Sequence, residues 1–177
     1  ELIDNALQSY RDNKEAIIAD NPDYKFKVIV DINWDDESEK AKEIIISDNA
    51  AGLSFNSFKK AFMTAEVPEN NLGLNEFGMG MKVSSIWLSN TWTVETSAYG
   101  EPVRKSMTFD LKEVVDNEEM ELPVDEVPCE KYLHYTKITL KNLSMNKPTS
   151  RQMAYIRKHL ASIYTKYLRE KTVEIVV

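Results

Sequence analysis

The chain has 177 residues, 42% of them hydrophobic and 29% charged, with a formal net charge of −7. That length suits one well-buried core, and no apolar run approaches the ~20 residues of a membrane span, nor does a signal peptide open the chain. A single cysteine, Cys129, and two scattered histidines, His134 and His159, exclude a disulfide framework and a zinc site, and the acidic balance argues against a surface that is a nucleic-acid platform throughout.

Residues 1–19 read as a helix with apolar positions at 2, 3, 6, 7, 10, 17 and 18, ended by Asn21-Pro22-Asp23. Glu1 falls inside that pattern with neither an initiator Met nor an N-cap before it, so the sequence reads as an N-terminally truncated piece of a longer protein. KFKVIVDINW alternates as a half-buried strand with Phe26, Val28, Val30 and Ile32 on one face. DDESEK is a hairpin-type turn, AKEIIIS a second strand and DNAAGLS a turn. SFNSFKKAFM resembles a short helix beginning near Ser54 or Asn56. Residues 64–77 carry Pro, Gly and three Asn without periodicity and read as a long loop, a length usually reserved for function.

GMGMKVSSIWLSN opens a helix from a glycine-rich turn, and TWTVETSAYG and VRKSMTFDL read as strands joined near YGEP. The acidic stretch 112–131, twice interrupted by Pro, reads as irregular or extended. HYTKITLKNL is a strand, NKPTS a helix start, residues 150–169 a helix with Met153, Ile156, Leu160, Ile163, Tyr164 and Tyr167 in period, and TVEIVV a closing strand. Met79, Met81, Trp87 and Trp92 read as core. Helices with mostly antiparallel strands and no βαβ regularity imply an α+β two-layer sandwich, one sheet with helices on one face.

Four short patterns carry chemistry. ELIDN places Glu1 and Asn5 four residues apart, on one helical stripe beside the apolar one; acidic residues near a helix start also follow from the macrodipole. IIISDNAAGLS ends a buried strand in Asp48, a carboxylate that needs a hydrogen-bonding partner, and turns through Gly52, where backbone can approach a flat group closely; a β-turn with an Asx cap explains the same residues. EFGMGMKVSS sets Gly78 and Gly80 before a helix, a natural anion site to which Lys82 adds charge; a glycine-rich helix entry with a solvated Lys reads equally. Thr136 leads a strand, where its hydroxyl can support Asp48 or merely favour β-structure.

In this order and spacing the four patterns resemble the GHKL ATPase superfamily of gyrase B, heat-shock chaperones, histidine kinases and MutL, with its Bergerat-type ATP-binding fold. FGMGMKVSSIWLSN and RKHLASIYTKYL followed by a strand look closest to the microrchidia (MORC) type or heat-shock-chaperone-like members. The resemblance covers nearly all of residues 1–177. It implies Glu1 as the general base for the attacking water and Asn5 as ligand to Mg²⁺. Asp48 would bind the adenine amine, with Thr136 supporting it and Gly52 and Leu53 flanking the base. Gly78, Met79, Gly80 and Met81 would lie along the phosphates with Lys82 as a further contact, and residues 64–77 would form the ATP lid. ATP and Mg²⁺ are the implied cofactors, and slow hydrolysis coupled to homodimerisation or domain closure is the implied activity, in a cytoplasmic protein or a nuclear one if eukaryotic.

Two positions depart from the family pattern: Ala50 stands where the first glycine of DxGxG is usual, and Tyr135 where glycine usually precedes the Thr. They keep open a non-catalytic interaction module as an alternative; a histidine-kinase-type domain, which typically lacks a glutamate at the position of Glu1, is the other. Residues 147–171 hold Lys147, Arg151, Arg157, Lys158, Lys166, Arg169 and Lys171 against only Glu170, a solvated face or a contact for DNA phosphates.

Overall fold

The computed structural model describes residues 1–35, 37, 40–62, 80–117 and 122–177, with side chains left aside at 60–62. Helix α1 (Leu2–Asp20) buries Ile3, Ala6, Leu7, Tyr10 and Ile17 along one stripe. Strands β1 (Lys27–Trp34) and β2 (Ala41–Asp48) follow as an antiparallel pair, then helix α2 (Phe55–Phe62) and helix α3 (Gly80–Leu88). Strands β3 (Ser89–Ser97) and β4 (Val103–Asp110) form the next antiparallel pair, turned by Tyr99–Gly100 with Gly100 at φ +81°.

Helix α4 (Leu111–Asn117) and strand β5 (Asp125–Pro128) occupy the acidic stretch expected to be irregular or extended; the strand fits that reading and the helix departs from it. The helix starts where Asp110 Oδ1 accepts from the N–H groups of Lys112 and Glu113 at 3.0 and 3.3 Å, a cap the sequence reading passed over. β5 is an all-exposed edge strand on β4, where a proline costs no ladder bond toward solvent.

β6 (Tyr135–Leu143), α5 (Ser150–Ile163), α6 (Thr165–Arg169) and β7 (Glu174–Val176) complete the chain. Thr149 caps α5 in a reciprocal box with Gln152. The single helix expected over 150–169 is two. Thr165 Oγ1 donates back to the carbonyls of Ala161 and Ser162, while Tyr164 turns inward and its hydroxyl donates to Asp4 Oδ1 at 2.9 Å. Ile163 falls on the exposed side of that break.

The sheet has seven strands in the order β5-β4-β3-β6-β2-β1-β7, antiparallel throughout except for β1 with β7. This is the expected α+β architecture, a mixed, mostly antiparallel sheet with helices. The ladder registers line its inner face with three rows. Ile32, Ile44, Leu140, Trp92 and Phe109 form one, and Val30, Ile46, Ile138, Val94 and Met107 the next. The third runs Val28, Asp48, Thr136, Thr96, Lys105 and turns polar after its first member. Two apolar rows carry the core; the third builds a site at one end of it.

Met81 and Trp92 are buried as expected of core residues, but Trp87 is 82% exposed. On α3 the buried positions Met81 and Ser85 define the inward stripe at i, i+4, and residue 87 lies off it.

Candidate functional site

The DNAAGL turn is held on three sides. Asn49 Oδ1 accepts from the Lys27 N–H at 2.7 Å and its Nδ2 donates to the Lys25 carbonyl at 2.9 Å, which ties the turn to the start of β1. The Tyr99 N–H donates to the Ala51 carbonyl at 2.8 Å and the Leu53 N–H to Thr96 Oγ1 at 2.9 Å, which ties it to β3. Below it, Ser9 Oγ on α1 donates to the Gly52 carbonyl at 3.4 Å. Gly52 sits at φ +72°, and a Cβ there would lie 2.0 Å from the Ser97 carbonyl oxygen. The close approach this glycine permits is thus to the backbone of β3, and no L side chain fits.

Asp48 ends β2 opposite Thr136 of β6, and Thr136 lies opposite Thr96 of β3. Asp48 Oδ1 accepts from the Ala50 N–H at 2.9 Å. Burial pushes the carboxyl up to about 7, against backbone hydrogen bonds from Ala50 and Thr136 that pull it down. A carboxylate held this far above its ordinary range is poised for a hydrogen-bond donor that would favour its charged form.

Helix α1 supplies the second wall. Glu1, Asn5 and Ser9 recur every four residues on one stripe, spanning about 12 Å at 1.5 Å per residue. At one end Ser9 holds the Gly52 carbonyl. At the other, the Glu1 carboxylate lies against Gly80, the first residue of α3, where a Cβ would come 1.7 Å from Glu1 Oε1. Between them, Asn5 Oδ1 is buried with no hydrogen-bond partner among the described residues. Asp4, on the next stripe, accepts from the Tyr164 hydroxyl at 2.9 Å and so anchors α1.

On α3, Met81 is buried and Lys82 half-buried, with burial pulling the Lys82 ammonium below its ordinary range. Of the residues singled out in the sequence, Glu1, Asn5, Asp48, Gly52, Leu53, Gly80, Met81, Lys82 and Thr136 are therefore described, and those of α1, α3 and the Asp48 turn meet at one end of the sheet. Gly78, Met79 and the loop 64–77 lie outside the described residues.

A family profile described as histidine kinase-, DNA gyrase B- and HSP90-like ATPase matches residues 1–143. The chain belongs to this ATPase family. Among solved structures, the ATPase region of Saccharomyces cerevisiae topoisomerase II bound to ICRF-187 (dexrazoxane) shares its fold at TM-score 0.61 and 17% identity, covering 96% of this chain and 47% of that one. A second structure of the same ATPase region gives TM-score 0.58 at 14% identity, covering 96% of this chain and 46% of that one. The Aquifex aeolicus MutL ATPase domain complexed with ADP gives 0.50 at 16% identity, covering 98% and 55%. The chain thus spans about half the length of these structures. A search of curated protein sequences returned no match.

Within this ATPase domain, the two departures from the family pattern have separate structural accounts. The Ala50 methyl is fully buried, and the Ala50 carbonyl accepts from His134 Nδ1 at 2.7 Å, so that nitrogen carries the ring proton. Tyr135 points to the opposite face of the sheet from Thr136, and its hydroxyl donates to Glu95 Oε1 at 2.7 Å. The Tyr135 side chain therefore does not stand on the Asp48–Thr136 side.

Sequence reasoning missed two members of the site. Ser9 could have been found by continuing the Glu1–Asn5 stripe one further turn. Thr96 could not: its relation to Asp48 passes through the register of β3 with β6, which no local pattern encodes.

Proposed function

We propose that the chain binds Mg-ATP between α1 and the Asp48 turn and, in the intact protein, hydrolyses it slowly. The observation that carries this reading is the Glu1–Asn5–Ser9 stripe, with a buried amide oxygen that has no partner among the described residues, between Gly80 and the Gly52 turn. Asp48 accepts from the adenine amine, and Gly52 and Leu53 lie beside the base. Thr136 supports Asp48 through its backbone N–H. Residues 78–82 lie along the phosphates, where the backbone N–H groups opening α3 and the Lys82 ammonium attract anionic oxygens.

The Asn5 site fits a magnesium ion: the cation takes oxygen ligands beside phosphate oxygens and waters, and an amide oxygen without a partner among the described residues is such a ligand. When bound, Mg²⁺ supplies charge neutralisation at the phosphates. Glu1 acts as general base: its carboxylate accepts a proton from the water that attacks the terminal phosphorus as the bond to the bridging oxygen breaks and ADP leaves, which is positioning chemistry rather than covalent catalysis. Residues 64–77 serve as the lid in this reading.

For the intact protein the proposal extends to nucleotide-dependent dimerisation, a MORC-type or chaperone-like relationship supported by FGMGMKVSSIWLSN and RKHLASIYTKYL, and contact with DNA phosphates through the basic residues of 147–171. Isothermal titration of ATP into this chain, with and without Mg²⁺, tests the core of it. Binding that requires Mg²⁺ supports the Asn5 assignment, and no heat at millimolar ATP overturns the nucleotide reading.

A further inference from the structure

The hydroxyl of Thr96 has three neighbours, and together they leave one arrangement of protons. Thr96 is fully buried. Its Oγ1 lies 2.8 Å from the Tyr135 carbonyl oxygen, 2.9 Å from the Leu53 nitrogen and 3.3 Å from Thr136 Oγ1. A carbonyl can only accept and a backbone N–H can only donate. The one proton of Thr96 is therefore committed to Tyr135, and one of its lone pairs to Leu53. In the remaining contact Thr96 can only accept, so Thr136 is the donor. With its own proton spent on Thr96, the Thr136 hydroxyl turns lone pairs toward the space beside Asp48, its neighbour in the ladder.

We infer that Thr96 is a positioning residue that sets the proton direction of Thr136 and so makes that hydroxyl accept only, which leaves this end of the site without a donor once Asp48 is ionised. Such an end takes a base edge that donates, such as the exocyclic amine of adenine, and disfavours an edge with a carbonyl at the same place. The inference rests on the nucleotide reading above and deepens it, because it assigns the choice of base to a residue that contacts the ligand only through Thr136. The same bond from Leu53 couples this choice to the turn beside the base: Thr96 holds the Leu53 backbone and orients Thr136 with one oxygen.

The physical basis is the asymmetry of buried hydrogen bonding. A matched donor gains modestly, whereas two opposed acceptors leave both groups unsatisfied away from water, and discrimination of analogues built on such mismatches is large. Released from Thr96, the Thr136 hydroxyl can rotate and donate to a carbonyl edge, so the mismatch is relieved.

Titration calorimetry of ATP and of inosine triphosphate, which carries a carbonyl where adenine carries the amine, tests this with the wild-type chain, Thr96→Val and Thr96→Ser, all with Mg²⁺. The wild type is expected to favour ATP, Thr96→Val to narrow the ATP-over-inosine ratio by about tenfold, and Thr96→Ser, which keeps oxygen and proton, to hold the wild-type ratio. Thr96→Cys, close in volume with only a weak donor, takes the place of Val if thermal melting shows that variant unfolded, with the same narrowing expected. An equal loss for both nucleotides, or an unchanged ratio, overturns the role of Thr96 while leaving the nucleotide reading standing. A wild type that binds neither nucleotide overturns the nucleotide reading, and the base-selection role falls with it.

Discussion

The carboxylate of Glu1 fills the space that a side chain at residue 80 would occupy, 1.7 Å from the Cβ position of Gly80. The first residue of the chain and the first residue of α3 are thereby placed side by side, and a glycine that reads from sequence as a phosphate-facing turn element is also what admits the proposed base.

Gly80→Ala is expected to push Glu1 aside at little cost in stability, since the displaced group is the end of a flexible side chain. ATP hydrolysis by the full-length protein should fall by about tenfold or more, while ATP binding changes less, because misplacing a catalytic group by about an ångström costs rate rather than affinity. Glu1→Gln should bind ATP as the wild type does and lose turnover. Single-turnover assays beside titration calorimetry separate the two effects; wild-type turnover in Glu1→Gln would remove the general-base assignment.

Asp48 gives opposite signs for binding and stability. Its carboxyl titrates at about 7 in the fold against an ordinary 3.8, so between those values the folded state holds a proton that the unfolded state releases. Its contribution to stability is therefore most favourable in acid, declines as pH rises from about 4 to about 7, and stays at its least favourable level above that. The full penalty is about 4 kcal/mol at most. Asp48→Asn should abolish ATP binding and yet melt higher than the wild type at pH 8, with the difference shrinking toward pH 4. Melting curves of both proteins across that range check the sign.

Gly52→Ala should lower stability by about 2 kcal/mol or more, because a left-handed backbone and a carbonyl 2.0 Å from the new Cβ act together and neither can yield without moving β3. The denaturant midpoint should fall with its slope unchanged.

Restoring the family glycines should not improve the domain. Tyr135→Gly removes a side chain from the far face of the sheet together with its bond to Glu95, and Ala50→Gly removes a buried methyl. Each is expected to cost about 1 kcal/mol or more and to leave ATP affinity within about twofold. A gain in affinity for either would show that the side chain reaches the nucleotide.

Elements with strong local periodicity were legible without coordinates. The stripe of α1, the alternation of β1 and β6, the strand β2 and the start of α3 at Gly80 all lie within a residue or two of their expected places. The motifs were legible because each is local: Glu1 with Asn5 is one helical turn, and Asp48 with Gly52 is one turn of chain. Errors came where a single side chain outweighed the pattern. Asp110 capped a helix in an acidic stretch, and Tyr164 turned inward to Asp4 while Thr165 bonded backward, so that one expected helix became two. Trp87 read as core because hydrophobicity alone does not say which stripe of α3 faces the sheet.

By itself, the sequence determined the α+β class and most of the strands, which follow from periods of two and 3.6 residues and from turn chemistry, and it carried the motifs whose order and spacing resemble this ATPase family. Only the tertiary structure decided that Glu1 meets Gly80, that Ser9 meets the Gly52 carbonyl, and that Asp48, Thr136 and Thr96 form one polar row. It also decided that Tyr135 turns away from that row. Those relations arise when distant segments close on one core, and those of the strand residues depend on order and register as well: a one-residue slip of β2, β3 or β6 would send that strand's member of the row to the other face.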